Sequence, residues 1–407
     1  MTETPSTPIV ARSVLIACIV VFALSQFQRA AGGVFGPVLG DRLDLTATAL
    51  GLVVGTMFVA NLAAQGPAGA ALDRFGPRRV LAWSLAVIGA GTLLFALAPS
   101  LGAAAWPALV AARVLVGMGM AGSAGGVQVA LARFLPPGDY GYGKGLLVSL
   151  GGIGGLLGTW PLSVALERMP WSVSFVLAAG LAATALVIVL RAIPEGAPLL
   201  TSKDDAPVGY LALLRDGAVL RILELGAVAY APITTVTGLW GGPYLQSVHG
   251  LSPEAAGKAL MGLYSMTIAA GFAFGWLDRT GRARAWVVVT GAIGSAACLA
   301  SLALLPSPGV ALALALLASS VFLQQFYIPL GVLLRDAVPP HALGRANALM
   351  ILLGVGMIPA MQTGFGAALD VATASGFETA AAYRMAFAIV ATTIAAALVL
   401  YSWPRKG

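Results

Sequence analysis

Two guanidinium groups stand where charge is expensive. Arg29 lies deep in an apolar run over 13–38, and Arg113 sits midway along the first part of another over 103–132. At bilayer depth a cation costs about 3 kcal/mol or more unless it faces water, a partner dipole or an anion. None of the sixteen acidic residues falls deep in such a run, Glu224 coming nearest. The chemistry on offer is therefore recognition of an anion, and no buried carboxylate with a raised pKa stands ready to carry protons. Arg29 shares a helical face with Gln26 and Ser25, a donor-rich stripe suited to lining a cavity. Its other reading is a structural hydrogen bond to a neighbouring helix.

Further candidate cavity residues come from helical spacing. Tyr230, Thr234 and Thr237 share one face of the run 221–247, with Trp240 and Tyr244 nearer its outer end; Tyr264, Gln324, Gln325, Tyr327 and Trp160 (beside Pro161) lie in other runs, as do Asn61 and Gln65. Each has a plainer reading: aromatic residues form belts at membrane surfaces, and threonines bond back to their own helix. Met350, Met357 and Met361 share a helix face; thioethers suit copper(I), but methionines are also adaptable core fillers, and both histidines, His249 and His341, fall in connections. No catalytic triad, metal-ligand cluster or phosphate-cradling glycine loop in a strand context is present, so no enzyme chemistry, metal or cofactor is expected. Cys18 and Cys298, both in apolar runs, form neither a disulfide framework nor a zinc site.

The elements that hold these residues are membrane spans. Hydrophobic residues make up 59% of the 407-residue chain, charged residues 10%, and the mean hydropathy is +0.91, whereas a soluble domain carries about 25% charged residues. Segments near 13–38, 48–72, 80–98, 103–132, 143–165, 171–190, 221–247, 254–277, 286–305, 309–334, 345–369 and 381–402 are each long enough to cross. With the N-terminus inside, only Arg42, Arg168, Lys258 and Arg384 fall on the outer side, Arg29 and Arg113 being intramembrane. That asymmetry obeys the positive-inside rule and predicts cytoplasmic termini. It also accounts for the net charge of +7, leaving no call for a nucleic-acid partner. Met1–Val10 lacks the pattern of a cleaved signal, so the first span is expected to stay.

Between the second and third runs stands Gly69-Ala-Ala-Leu-Asp73-Arg74-Phe-Gly76-Pro-Arg78-Arg79, read as a tight, charged turn at a membrane surface. A looser copy, Gly275-Trp-Leu-Asp278-Arg279-Thr-Gly281-Arg282, places its aspartate 205 positions after Asp73. The pairs Pro136-Pro137 and Pro339-Pro340 lie 203 positions apart. The longest polar connection, 192–217, separates these copies, so the chain is read as bundles 1–191 and 218–407 joined by a cytoplasmic linker.

The Gly-x-x-x-Asp-Arg-x-Gly-x-Arg-Arg stretch resembles the loop between helices 2 and 3 of the major facilitator superfamily of secondary transporters. The resemblance implies an all-α integral membrane protein of twelve transmembrane helices, in two six-helix bundles related by a pseudo-twofold axis, with the solute at mid-membrane. It implies a monomer in the inner membrane moving a small organic solute by alternating access, with protons or a counter-solute as partners. The buried arginines point to an organic anion. Arg113-Val-Leu115-Val-Gly117-Met-Gly119 is similar to the superfamily's helix 4 pattern, whose arginine serves coupling. Gly145-x8-Gly154-x3-Gly158 is similar to the antiporter signature of drug exporters but departs from it at Thr159 and Leu162-Ser163, keeping proton-coupled efflux as an alternative. Copper(I) import and a transport-dead sensor or assembly factor also stay open. In the loop, Gly69, Asp73, Arg74, Gly76, Arg78 and Arg79, with Asp278, Arg279, Gly281 and Arg282, would gate: Gly69 lets helix 2 approach its neighbour closely, and Asp73 caps helix 11, which begins near Gly344. Asp73→Asn should lower the transport rate in membrane vesicles while leaving the amount of protein in the membrane fraction unchanged; wild-type rates would contradict the gate.

Overall fold

The computed structural model describes residues 8–136, 140–195, 210–279, 284–339 and 342–403, and all regular structure among them is helical. Hydrocarbon offers no water to an unpaired N–H or C=O, so a lipid-embedded chain satisfies its backbone within helices. In order these are α1 (Pro8–Ala30), α2 (Gly32–Leu43), α3 (Ala47–Leu97), α4 (Ala105–Phe134), α5 (Tyr140–Gly151), α6 (Ile153–Leu157), α7 (Trp160–Arg168), α8 (Trp171–Ala192), α9 (Tyr210–Arg215), α10 (Gly217–Ala229), α11 (Ala231–Thr235), α12 (Gly241–Ser247), α13 (Pro253–Arg279), α14 (Arg284–Leu304), α15 (Val310–Leu323), α16 (Tyr327–Ala337), α17 (Leu343–Ala374) and α18 (Thr379–Ser402). Large apolar side chains such as Ile16, Val59, Leu177, Phe272 and Val399 are more than half exposed, as a lipid-facing surface requires.

Ten helical runs among the described residues are long and apolar enough to cross a membrane. One, Ala47–Ser100, has 54 residues, more than twice the roughly 20 a crossing needs. α13, outside those ten, has 27 residues. Taking the first as two crossings and α13 as one is consistent with the expected twelve.

Several spans expected to be continuous are broken, three of the four beside a proline. The expected first helix divides at Ala31 into α1 and α2. The fifth divides at Gly152 and again at Gly158–Thr159, with Pro161 in the first turn of α7. The seventh bends at Tyr230, restarts with Pro232 in the first turn of α11, and passes through a π-helical turn over Val236–Trp240 before α12. The tenth tightens to a 3-10 turn over Gln324–Phe326, just ahead of Pro329. Proline removes a backbone donor and clashes with the preceding turn; π turns recur at functional sites. The charged stretch at 69–79, expected as a tight turn, joins two helices across a kink at Gly76. The turn is made at a single residue, Gly76 (φ 74°, ψ 171°), in a backbone conformation that glycine alone adopts readily.

Residues Met1–Phe35 and Thr56–Ser202 form one compact unit, and Gly36–Gly55 with Lys203–Gly407 form a second. The division differs from the bundles read from the sequence, because the segment 36–55 packs with residues from the far end of the chain. Inside the first unit, Phe35, Phe95, Trp171 and Phe175 form an aromatic core with centroids 4.5–6.1 Å apart. The Trp171 indole N–H donates to Phe95 O at 3.1 Å. α5 and α6 seat on α1 through Gly151 and Gly154: a Cβ at Gly154 would overlap Ala23 O, and one at Gly158 would lie 2.8 Å from Phe27 O. The glycine density of this region thus serves close packing against the helix that bears Arg29. In the second unit Trp240, Tyr244, Phe365, Tyr383 and Phe387 form the corresponding aromatic cluster.

Gly76→Ala should cost about 1–3 kcal/mol and lower the unfolding temperature of the detergent-purified protein. Gly69→Ala should leave that temperature unchanged or slightly raised, since a Cβ there meets nothing within 4 Å.

Candidate solute-binding and gating residues

Arg29, on the C-terminal turn of α1, is half-buried and lies over the face of Phe58, 5.7 Å from the ring centroid. No carboxylate among the described residues pairs with it. Its expected companions differ: Ser25 bonds back to Val21 O, whereas Gln26 is half-buried. The neighbouring Gln28, not singled out from the sequence, donates to Thr92 Oγ1 at 3.0 Å and ties α1 to α3. Trp160 is half-buried at the start of α7.

Arg113 has a different fate. It is 2% exposed, with its guanidinium over Phe35 and Phe95 at 5.6 and 5.8 Å, and its Nε and Nη2 have no hydrogen-bond partner. Its charge is met by ring quadrupoles inside the aromatic core.

In the second unit, Tyr230 and Tyr327 approach to 6.1 Å between centroids and bring α11 and α16 together at their breaks. Thr234 and Thr237 are buried, and their hydroxyls bond back to Tyr230 O and Ile233 O, the plainer of the two readings. Trp240, expected nearer the outer surface, is buried: it donates from Nε1 to Gln362 O at 2.9 Å and stacks on Phe365. Gln324 donates to Ser295 at 2.8 Å and Ser320 at 3.2 Å, with its own Oε1 unpartnered. Gln325 and Tyr264 are 8% exposed. Gln362 escaped the sequence reading; it donates to Thr234 O at 3.3 Å across the π turn and leaves Oε1 unpartnered. A polar side chain opposite a proline-restarted helix was its only signal. Met350 and Met361 are buried, Met350 lying over Gly226, as core methionines do. His249, between α12 and α13, packs edge-on against Tyr244, and burial lowers its pKa, keeping the imidazole neutral near pH 7.

The gating set divides sharply. Arg78 pairs with Glu195 at 2.7 Å and donates to Leu190 O at 2.7 Å, holding the end of α8. Arg74 lies over Phe75, and Asp73, Arg74 and Arg79 are exposed. A Cβ at Gly69 would meet no described atom within 4 Å. The side chains of Asp278 and Arg279, together with Gly281, Arg282 and most of the linker, lie outside the described residues.

The engaged carboxylate is one the sequence reading passed over. Asp370, on the last turns of α17, accepts from the N–H groups of Ala47 and Thr48 at 2.9 and 2.7 Å, one on each oxygen. Those N–H groups open α3, where the macrodipole is positive. Below them, a Cβ at Gly51 would lie 2.8 Å from Gln362 O, one at Gly55 3.1 Å from Pro359 Cα, and one at Gly366 would overlap Ala47 O. Glycine on both sides lets the two backbones touch. A lone carboxylate at the end of a glycine-bearing span was the available sign.

The sequence profile described as Major Facilitator Superfamily matches residues 17–361. The chain belongs to the Major Facilitator Superfamily. It is 27% identical over 154 residues to the niacin transporter NiaP of Acinetobacter baylyi, covering 38% of this chain and 32% of that one. It is 32% identical over 209 residues to the chloramphenicol resistance protein of Streptomyces lividans, covering 48% and 47%. The chain spans about half or less of the curated relatives it matches. Among solved structures, the inward-facing, occupied form of a bacterial homologue of the human lysosomal transporter Spinster superposes with a TM-score of 0.80 at 18% identity over 97% of each chain, which shows the shared superfamily fold.

Asp370→Asn should weaken the hold on α3 by about 1 kcal/mol. With Cys18 and Cys298 replaced by serine, a Leu50→Cys probe beside this contact should react slowly with a maleimide and several-fold faster once Asp370→Asn is added.

Proposed function

We propose that this superfamily member is a carrier, not an enzyme, and moves a small organic anion across the cytoplasmic membrane by alternating access. Arg29 carries the solute reading: a half-buried guanidinium on a bilayer-length helix, resting on an aromatic ring and without a carboxylate partner among the described residues. A solute carboxylate would fill its planar donor fork. The similarity to a niacin transporter supports this, niacin being a carboxylic acid.

Alternating access needs one end sealed while the other opens, and α3 and α17 supply matched ends. Asp73 stands 26 residues after Ala47, and Asp370 stands 27 after Leu343. At 1.5 Å per residue each carboxylate is about 40 Å from the start of its own helix. Asp370 sits on the N-terminus of α3, and Asp73, exposed here, is spaced to sit on the N-terminus of α17. Breaking the first contact and making the second would exchange the sealed end.

Expulsion of an amphipathic drug-like compound is the second reading, favoured by the similarity to the chloramphenicol resistance protein. A thermal-shift screen of the purified protein against organic acids, amines, sugars and copper(I) separates these. A ligand at a hundredfold excess over its Kd stabilises the folded state by about 2.7 kcal/mol. We expect the shift from monocarboxylates or dicarboxylates and its loss in Arg29→Ala. A shift from a neutral drug or an amine that survives Arg29→Ala would reverse the assignment.

A further inference from the structure

On the first unit, α3 and α4 leave a crevice of about 220 Å³, lined by Pro67, Val80, Trp83, Val87, Met118 and Gly119 among others. Its lining is apolar apart from Ser84, and its rim side chains Trp83 and Met118 are 51% and 49% exposed. Such an opening on a membrane protein faces hydrocarbon, so its natural content is an acyl chain. Glycine sets its depth: a Cβ at Gly119 would lie 2.6 Å from Ser84 O and one at Gly122 would overlap Ser84 Oγ, so α4 packs directly on α3 at the floor of the crevice.

The crevice leads to charge. Trp83 meets Phe75 edge-on with centroids 5.0 Å apart, and Arg74 lies over Phe75 at 5.1 Å. The lining residues Ala64 to Ala68 and Val80 to Val87 fall within nine residues of the segment from Asp73 to Arg79, or about 14 Å along a helix. Arg78 is committed to Glu195 and Leu190 O. That leaves Arg74 and Arg79, both exposed, against the single carboxylate of Asp73, a net positive rim. A basic rim joined by an aromatic step to an apolar slot matches one molecule of the surrounding bilayer: a phosphate headgroup bearing net negative charge, with an attached chain.

We infer that this crevice is a binding site for an anionic phospholipid, its phosphate on Arg74 and Arg79, its glycerol region beside Trp83, and one acyl chain between α3 and α4. The inference rests on the family's membrane setting and is independent of which solute is carried.

Native mass spectrometry of the detergent-purified protein, titrated with dioleoyl phosphatidylglycerol or dioleoyl phosphatidylcholine, tests it. The anionic lipid should bind at least five-fold more tightly. Arg74→Gln with Arg79→Gln should reduce its affinity to that of phosphatidylcholine, whereas Arg168→Gln, an exposed arginine elsewhere on the unit, should not. Ala68→Trp, which places a bulky side chain in the lining of the slot, should weaken phosphatidylglycerol several-fold with the rim intact, and glycerol phosphate without chains should not compete. Equal binding of the two lipids, or phosphatidylglycerol affinity unchanged in Ala68→Trp, would overturn the site. Matching unfolding temperatures for the variants show that any loss is local.

Discussion

A peptide group in hydrocarbon must find its hydrogen bond inside the protein, and that demand governs every part of this molecule. It makes the described structure helical from end to end, and it makes each departure from helix costly enough to need a cause. The causes are visible: Gly76 where α3 turns, Pro161 and Pro232 where helices restart, and Gln362 reaching across the π turn to Thr234 O. The same demand explains why helix ends are occupied. Asp370 takes the opening N–H groups of α3, and Arg78 takes a carbonyl at the end of α8.

Charge obeys the same accounting, with a larger penalty. The two intramembrane arginines meet it in different ways. Arg113 is wrapped by Phe35 and Phe95 within a core that Trp171 and Phe175 complete, so its cation is stabilised by ring faces and held away from solvent. Arg29 has one ring and partial exposure. Residues alike in type and depth thus part company: one lies inside an aromatic core, and the other keeps a partly exposed guanidinium.

The helix pair α3 and α17 joins structure to function. Close backbone contact through Gly51, Gly55 and Gly366 brings the Asp370 carboxylate onto the start of α3. A charge on a helix terminus is a short-range contact of modest strength. Such a contact can hold one arrangement and still be exchanged for another within a transport cycle.

Fold class and family were legible in the amino-acid order, because hydropathy and positive charge act one segment at a time and a loop motif is local. The Asp73–Arg79 stretch and its partial repeat needed no partner to be recognised. Side-chain destinations were not legible. Helical spacing placed Thr234 and Thr237 on one face but could not say that their hydroxyls would turn back to Tyr230 O and Ile233 O. Nor could it say that Trp240 would be drawn inward by Gln362 O, or that Arg113 would be sealed under aromatic rings. Asp370 looked like an ordinary carboxylate near a span's end, since its partners Ala47 and Thr48 lie more than 300 residues earlier in the chain. Periodicity reports which residues share a face of one helix. What that face meets depends on which helices come together, and only tertiary packing settles it.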